Sequence, residues 1–256
     1  MRLQRYVDEL FSGRPRVAIL EAGCGSASHV SFGSAAVIVG IDISASQLQR
    51  NDHLSEAIRG DIQTYPLGRQ RFDAIICWDV LEHLQRPELA IENFARAVRP
   101  DGLIILKLPN LSSLKGLVTK LSPHWFHVWV YRHVLGRPNA GLEGHAPFPT
   151  FLRPSFRPRA LAAVAARQGL AVTFLAAYES PTHARTRKRY RIDGLPWTIV
   201  KLAVKTISLG RLSASETDLL MALQPTDGTV GYRCSSDALV RPKRTLRAAT
   251  GRARGA

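Results

Sequence analysis

The chain has 256 residues, 45% of them hydrophobic and 21% charged, which suffices for a full core and excludes wholesale disorder. The net charge of +15 is uneven: residues 1–110 hold 12 basic and 13 acidic side chains, 111–182 hold 8 and 2, and 183–256 hold 15 and 5. Cys24, Cys77 and Cys234 are too few and too scattered for a disulfide framework or a cysteine metal site, and read as reduced cytosolic thiols.

In chain order, "MRLQRYVDELF" is amphipathic and broken by charge, so it does not read as a signal peptide. "RVAIL" (16–20) is a short apolar run ending at an acid and a glycine turn, the pattern of a buried parallel strand feeding a helix. "AAVIVGID" (35–42) is a second such strand, followed by a helix that Ser44 is suited to cap. "AIRGDI" (57–62) is a brief third strand and "RFDAIICWD" (71–79) a fourth. "LEHLQRPELAIENFARAVRP" (81–100) gives one or two helices, and "DGLIILKLPN" (101–110) a fifth strand.

Alternating strands and helices imply right-handed crossovers and a doubly wound, mostly parallel α/β sheet with helices on both faces. From 111 to 156 the rhythm breaks into Trp, His, Pro and Phe, read as an insertion folded over the sheet's carboxyl end. A helix (157–169) and a sixth strand (170–178) follow. A second insertion runs over 179–227, with a seventh strand expected at 229–235. Residues 1–240 form one domain in this reading, and 241–256 a basic tail without fixed structure. No run is long and apolar enough for a spanning helix.

The chemistry gathers at strand ends. Gly23 and Gly25 permit a tight turn and close approach of backbone to a ligand. A dinucleotide fingerprint wants a third glycine where Ser28 stands. Glu21, two residues before the pair, would repel a pyrophosphate but suits a cationic ligand. Asp42 ends the second strand, 17 residues after Gly25, where a carboxylate can accept from both ribose hydroxyls. Asp61, after the third strand, can accept from the exocyclic amine of an adenine. Each acid alone also reads as a cap or a solvated strand end. Together they describe a site for a cationic nucleoside.

At these residues the chain resembles the class I S-adenosylmethionine-dependent methyltransferases. "EAGCGSA" matches their glycine-rich first motif, with Ala27 in place of its last glycine. "VGIDIS" matches the ribose acid, "RGDIQ" the adenine-side acid, "FDAIICWDVLEHL" the fourth motif and "VRPDGLIILKLPN" the fifth-strand region. The resemblance implies a Rossmann-like seven-stranded sheet, S-adenosylmethionine as cofactor, and two insertions forming a substrate cap. It also implies a cofactor set of Glu21, Gly23, Gly25, Asp42, Ile43, Asp61, Ile62, Trp78 and Asp79.

"WDVLEHL" is similar to the branch that modifies small molecules and lipids. His83, Glu82 and His127 are the expected catalytic residues, with His83 as base; His124 and His133 are further candidate bases. Glu82 and His83 alternatively only anchor their helix. In some relatives an acid-x-x-Glu-His binds a divalent ion, so Asp79, Glu82 and His83, with His124 or His127, are weighed as ligands; the expectation is no metal. The expected reaction is methyl transfer, most readily to oxygen, on a small hydrophobic or lipid-linked acceptor.

The aromatic "SPHWFHVWVYRH" and apolar "LPWTIVKLAVKTISLGRL" suggest a hydrophobic or amphiphilic substrate presented at a membrane surface, and the chain is expected to be cytoplasmic, with peripheral contact to the inner face of an anionic membrane. RNA methylation is an alternative motivated by the basic second half, but no RNA-binding module is recognisable and nucleic acid is not the expected partner. A nicotinamide-dependent oxidoreductase needs the missing glycine and a Tyr-x-x-x-Lys pair. A binding protein that keeps the fold without turnover is the last alternative.

Overall fold

The computed structural model describes residues 2–28, 30, 36–142, 145–151 and 156–226, without the side chains of residues 2 and 3. Helix α1 (Arg2–Phe11) leads into β1 (Val17–Ala22), β2 (Ala36–Asp42) and the short α2 (Ala45–Leu48). Then come β3 (Glu56–Arg59), β4 (Phe72–Trp78), a 3-10 turn (Leu81–His83), α3 (Pro87–Ala97) and β5 (Val98–Pro109). Helices α4 (Leu114–Leu121) and α5 (His124–His133) form the first insertion. Helix α6 (Pro158–Arg167) returns to β6 (Leu170–Tyr178); α7 (Pro181–Arg189) and α8 (Leu195–Ile207) precede β7 (Asp218–Pro225).

The sheet has seven strands in the order β3-β2-β1-β4-β5-β7-β6. Strands β1 to β5 are parallel, whereas β7 runs antiparallel to both β5 and β6. The strand order reverses between β1 and β4, and ligands of open α/β sheets bind at the carboxyl ends beside such a point. Register brings Glu21 opposite Gly40 and Ile76, and Trp78 opposite Lys107.

The central strands are buried on both faces, which explains their continuous apolar runs. On one face Ile75, Ile104, Phe94 and Leu161 pack the sheet against α3 and α6; on the other Val7 and Phe11 of α1 cover Ile19, Ile76 and Ile105. Each such side chain contributes about 1.5–3 kcal/mol by leaving water. Asp73, buried in β4, anchors the far end through Arg14, Arg99 and the Ala18 amide at 2.8 Å.

The structure corrects three expectations. The seventh strand is Asp218–Pro225, inside the range given to the second insertion, which therefore ends at Thr217. The stretch 229–235 and the tail 241–256 lie outside the described residues. The third strand stops at Arg59, leaving Gly60 to Ile62 in a turn; a Cβ on Gly60 would meet the Tyr65 ring at 2.8 Å. Ser44 precedes only one turn of helix and gives it no side-chain cap, its hydroxyl pairing with that of Ser46.

Candidate cofactor and acceptor site

The turn after β1 is built around two glycines with φ of +70° (Gly23) and +56° (Gly25), a left-handed region that disfavours side chains. A Cβ on Gly23 would also lie 2.5 Å from Val80. The turn is tied to the end of β2: the Gly23 amide donates to the Ile41 carbonyl at 2.7 Å, and the Gly25 amide to Asp42 Oδ2 at 2.9 Å. Asp42 Oδ1 accepts the Ser44 amide at 2.8 Å. Each oxygen thus spends one lone pair on the loops and keeps another for a ligand. Ile43, next to it, is 71% exposed, an apolar side chain standing in water at a strand end.

Glu21 is buried at the end of β1, and the Ser28 hydroxyl donates to its Oε2 at 2.7 Å. The residue that breaks the three-glycine pattern is therefore the one that fixes the carboxylate. A small recess between β1 and β4 is lined by Glu21, Ala22, Gly23, Cys24, Ile76 and Trp78. Burial first, then the charges of Asp42 and Glu21, push the Cys24 thiol up to about 12, so it is not a nucleophile at neutral pH.

On the far side of Asp42, both Asp61 oxygens accept from the Gln63 side-chain amide at 3.0 Å, and Oδ1 also takes the Gln63 main-chain amide. Gln63 Oε1 in turn accepts the Arg86 amide at 2.9 Å, joining this acid to the start of α3. Ile62 is buried in the core and its carbonyl accepts from Asn93.

At the end of β4, half-buried Trp78 is followed by Asp79 at φ +55°. The Lys107 ammonium grips the Asp79 carboxylate and also lies 3.0 Å from Asp218 Oδ2; Lys115 reaches the other Asp218 oxygen at 3.0 Å. Burial lowers the Lys107 pKa, but Asp79 and Asp218 outweigh it and hold the ammonium charged well above its ordinary value.

Glu82 is buried under this network, and burial followed by the Asp79 charge pushes its carboxyl up to about 8. His83 Nδ1 lies 2.6 Å from the Pro149 carbonyl, which makes it the protonated nitrogen and leaves Nε2 as the basic one. Burial lowers the His83 pKa against the opposing pull of that bond and of Asp79, so the ring is neutral at neutral pH. The segment carrying Pro149 is strapped on by the Phe151 amide, which donates to the Glu82 carbonyl at 2.7 Å.

Glu21, Gly23, Gly25, Asp42 and Trp78 thus line the carboxyl ends of β1, β2 and β4, with Asp79, Glu82 and His83 beyond them. The structure places His127 otherwise: its Nε2 lies 3.0 Å from the Ser122 hydroxyl within the first insertion. His133 packs on Trp129 at 5.4 Å between centroids, and both it and His124, at opposite ends of α5, are exposed.

Tyr131 of α5 and Tyr178 of β6 were not singled out from the sequence. Burial raises both phenols, that of Tyr178 to about 12, and both sense Asp79 and Lys107. Their signal was an aromatic hydroxyl at a strand end and in the aromatic insertion. Among the described residues no group of three or more His, Cys, Asp or Glu side chains is arranged to hold a metal ion.

The donor set fits a cationic nucleoside: acids at two strand ends, a loop in which a Cβ would clash, and exposed Ile43 beside Asp42. Comparison with known proteins bears on the same region. A family described as a methyltransferase domain matches residues 2–174. A ubiquinone biosynthesis O-methyltransferase of Coxiella burnetii is 29% identical over 101 residues, covering 36% of this chain and 43% of the relative. A tRNA (carboxymethyluridine(34)-5-O)-methyltransferase of Arabidopsis thaliana is 28% identical over 137 residues, covering 50% of this chain and 33% of the relative. The matched part is thus under half the length of either relative. The phosphoethanolamine N-methyltransferase 2 of Haemonchus contortus, solved with S-adenosyl-L-methionine, superposes with a TM-score of 0.51 at 11% identity, over 88% of this chain and 53% of that one. At that identity the likeness is one of fold.

Proposed function

The chain belongs to the methyltransferase-domain family, whose cofactor is S-adenosylmethionine, and on that premise we propose that it methylates an oxygen of a small hydrophobic or lipid-linked acceptor. The cofactor supplies a methyl group already activated on a sulfonium sulfur. Glu21, fixed by Ser28, would hold the ammonium of its methionine part, and the Gly23–Gly25 turn would let the backbone lie against it. Asp42 would take the ribose hydroxyls with the lone pairs left by Gly25 and Ser44, and Ile43 would cover the adenine face.

The observation that carries the oxygen assignment is the hydrogen bond between His83 Nδ1 and the Pro149 carbonyl. A hydroxyl must lose a proton as it attacks, whereas an amine attacks with its lone pair. A neutral imidazole, its Nδ1 committed to Pro149, presents Nε2 as acceptor for that proton. The cap supports a hydrophobic acceptor: Phe148 packs edge-on to His83 at 5.8 Å. Several of the chain's relatives are named for ubiquinone biosynthesis.

The test is methyl transfer from labelled S-adenosylmethionine to substituted phenols and catechols bearing an alkyl tail. His83→Asn should lower kcat by about 10²–10⁴-fold and leave cofactor affinity unchanged. Full activity in that variant removes the base assignment. A second reading, RNA methylation, is favoured by the tRNA-modifying relative and by the basic run of α7, "PTHARTRKR". Labelling of bulk tRNA with none of the phenols would replace the small-acceptor reading.

A further inference from the structure

Two helices of the cap turn apolar side chains to solvent. In α8, Trp197, Val200 and Val204 are half buried, and Trp197 packs against His183 and beneath the Arg187 guanidinium. On the opposite side Leu195, Ile199 and Leu202 recur at helical spacing and are 74%, 58% and 64% exposed. In α5, Trp125 and Trp129 stand one turn apart, 69% and 50% exposed. Neither helix has a buried residue. The two insertions are joined: the Tyr190 hydroxyl donates to the Val134 carbonyl at 3.4 Å, and the Leu114 amide to the Ser213 carbonyl at 2.9 Å.

Charge selects what covers these stripes. Residues 114–133 and 195–212 carry Lys115, Lys120, Arg132, Lys201, Lys205 and Arg211, and no Asp or Glu. At 100° per residue, Lys201 and Lys205 flank the Leu195–Ile199–Leu202 stripe on one side. A second copy of the chain would press two cationic faces together. RNA would answer the charge and leave the aliphatic stripe unburied. An anionic bilayer answers both, because lysine stems snorkel to headgroup phosphates while Trp and Leu enter the interface. No helix among the described residues is long and apolar enough to cross a membrane, so the contact would be peripheral.

We propose that the exposed apolar stripes of α5 and α8 dock on an anionic lipid bilayer, independently of which acceptor is methylated. The test sediments the full chain with vesicles of phosphatidylcholine alone or with about 30% phosphatidylglycerol, and follows tryptophan emission. Binding and a blue shift are expected with the anionic vesicles only. Ile199→Ser/Leu202→Ser and Lys201→Glu/Lys205→Glu should each weaken that binding about tenfold or more, with S-adenosylmethionine affinity retained as proof of folding. No binding to the anionic vesicles, or binding that neither variant weakens, overturns the proposal. So does a lipid-free dimer, seen by light scattering, that the Ile199→Ser/Leu202→Ser variant dissociates.

Discussion

Lys107 and Asp79 hold each other at two levels. The Lys107 carbonyl accepts the Asp79 amide at 2.9 Å, and the Lys107 ammonium closes on the carboxylate, 2.6 Å from Oδ2. This clamp accompanies the positive φ of Asp79, a conformation rare for a residue with a side chain. It turns the acid back onto β5, and Glu82 and His83 follow on the next turn. The same ammonium neutralises Asp218, so a single charge serves the end of β4 and the start of β7.

Lys107→Met leaves two carboxylates facing an apolar side chain. Removing one partner of a buried ion pair costs about 3–5 kcal/mol. The lower end is expected here, since the Asp79 side chain is 42% exposed and Asp218 keeps Lys115. Urea unfolding should show the loss, and Lys107→Met/Asp218→Asn should recover part of it. An unchanged unfolding midpoint in the single variant would mean that the clamp does not stabilise the fold.

Restoring the glycine of a dinucleotide loop should harm this site. Ser28→Gly removes the hydroxyl that donates to Glu21 at 2.7 Å. A hydrogen bond to a charged group contributes about 1.5–3 kcal/mol, so S-adenosylmethionine affinity should fall by about tenfold or more. Calorimetry should show no gain in affinity for a nicotinamide dinucleotide. Tighter dinucleotide binding would restore the reading of this loop as a damaged pyrophosphate site.

The parallel strands were legible because strands buried on both faces must be apolar throughout and end where the chain turns. That is how Glu21 and Asp42 were found. Strand β7 is not legible because "DLLMALQP" follows helices α7 and α8 and pairs antiparallel, so no helix-covered crossover announces it. Lys107 interrupts the apolar run "LIILKLPN", a signal that went unused; its partner Asp79 lies 28 residues away. Asp218 is farther still, at the start of the overlooked strand. Three histidines on one helix look alike in a sequence, and only the fold shows the Ser122 hydroxyl meeting His127.

Gly23→Ala separates two costs at the cofactor turn. Its φ of +70° is unfavourable for any side chain by about 1–2 kcal/mol. The new Cβ would also lie 2.5 Å from Val80, so the sum should exceed the conformational cost alone. Thermal unfolding of Gly23→Ala should therefore show a larger loss against wild type than Gly23→Ala/Val80→Ala shows against Val80→Ala. Equal losses would mean that Val80 moves aside freely.

Glu82 should make the fold less stable in alkali. Its side chain is buried with Oε2 lacking a hydrogen-bond partner, and burial followed by Asp79 raises its pKa from 4.5 to about 8. The folded state therefore holds this proton more tightly than the unfolded chain. Its contribution is complete below the unfolded value and is lost as pH rises through the folded one, at up to about 1.4 kcal/mol per pH unit between the two. His83, with a lowered folded pKa, acts in the opposite sense: its contribution is lost as pH falls. Between about pH 6 and pH 8.5 the loss thus belongs to Glu82, because Cys24, Tyr178 and Lys107, also raised, start from higher unfolded values and act at higher pH. Unfolding free energies at about pH 6 and pH 8.5 should diverge in the wild type and converge in Glu82→Gln, whose neutral amide cannot ionise. Parallel pH profiles for the two proteins would show that Glu82 does not hold its proton in the folded state.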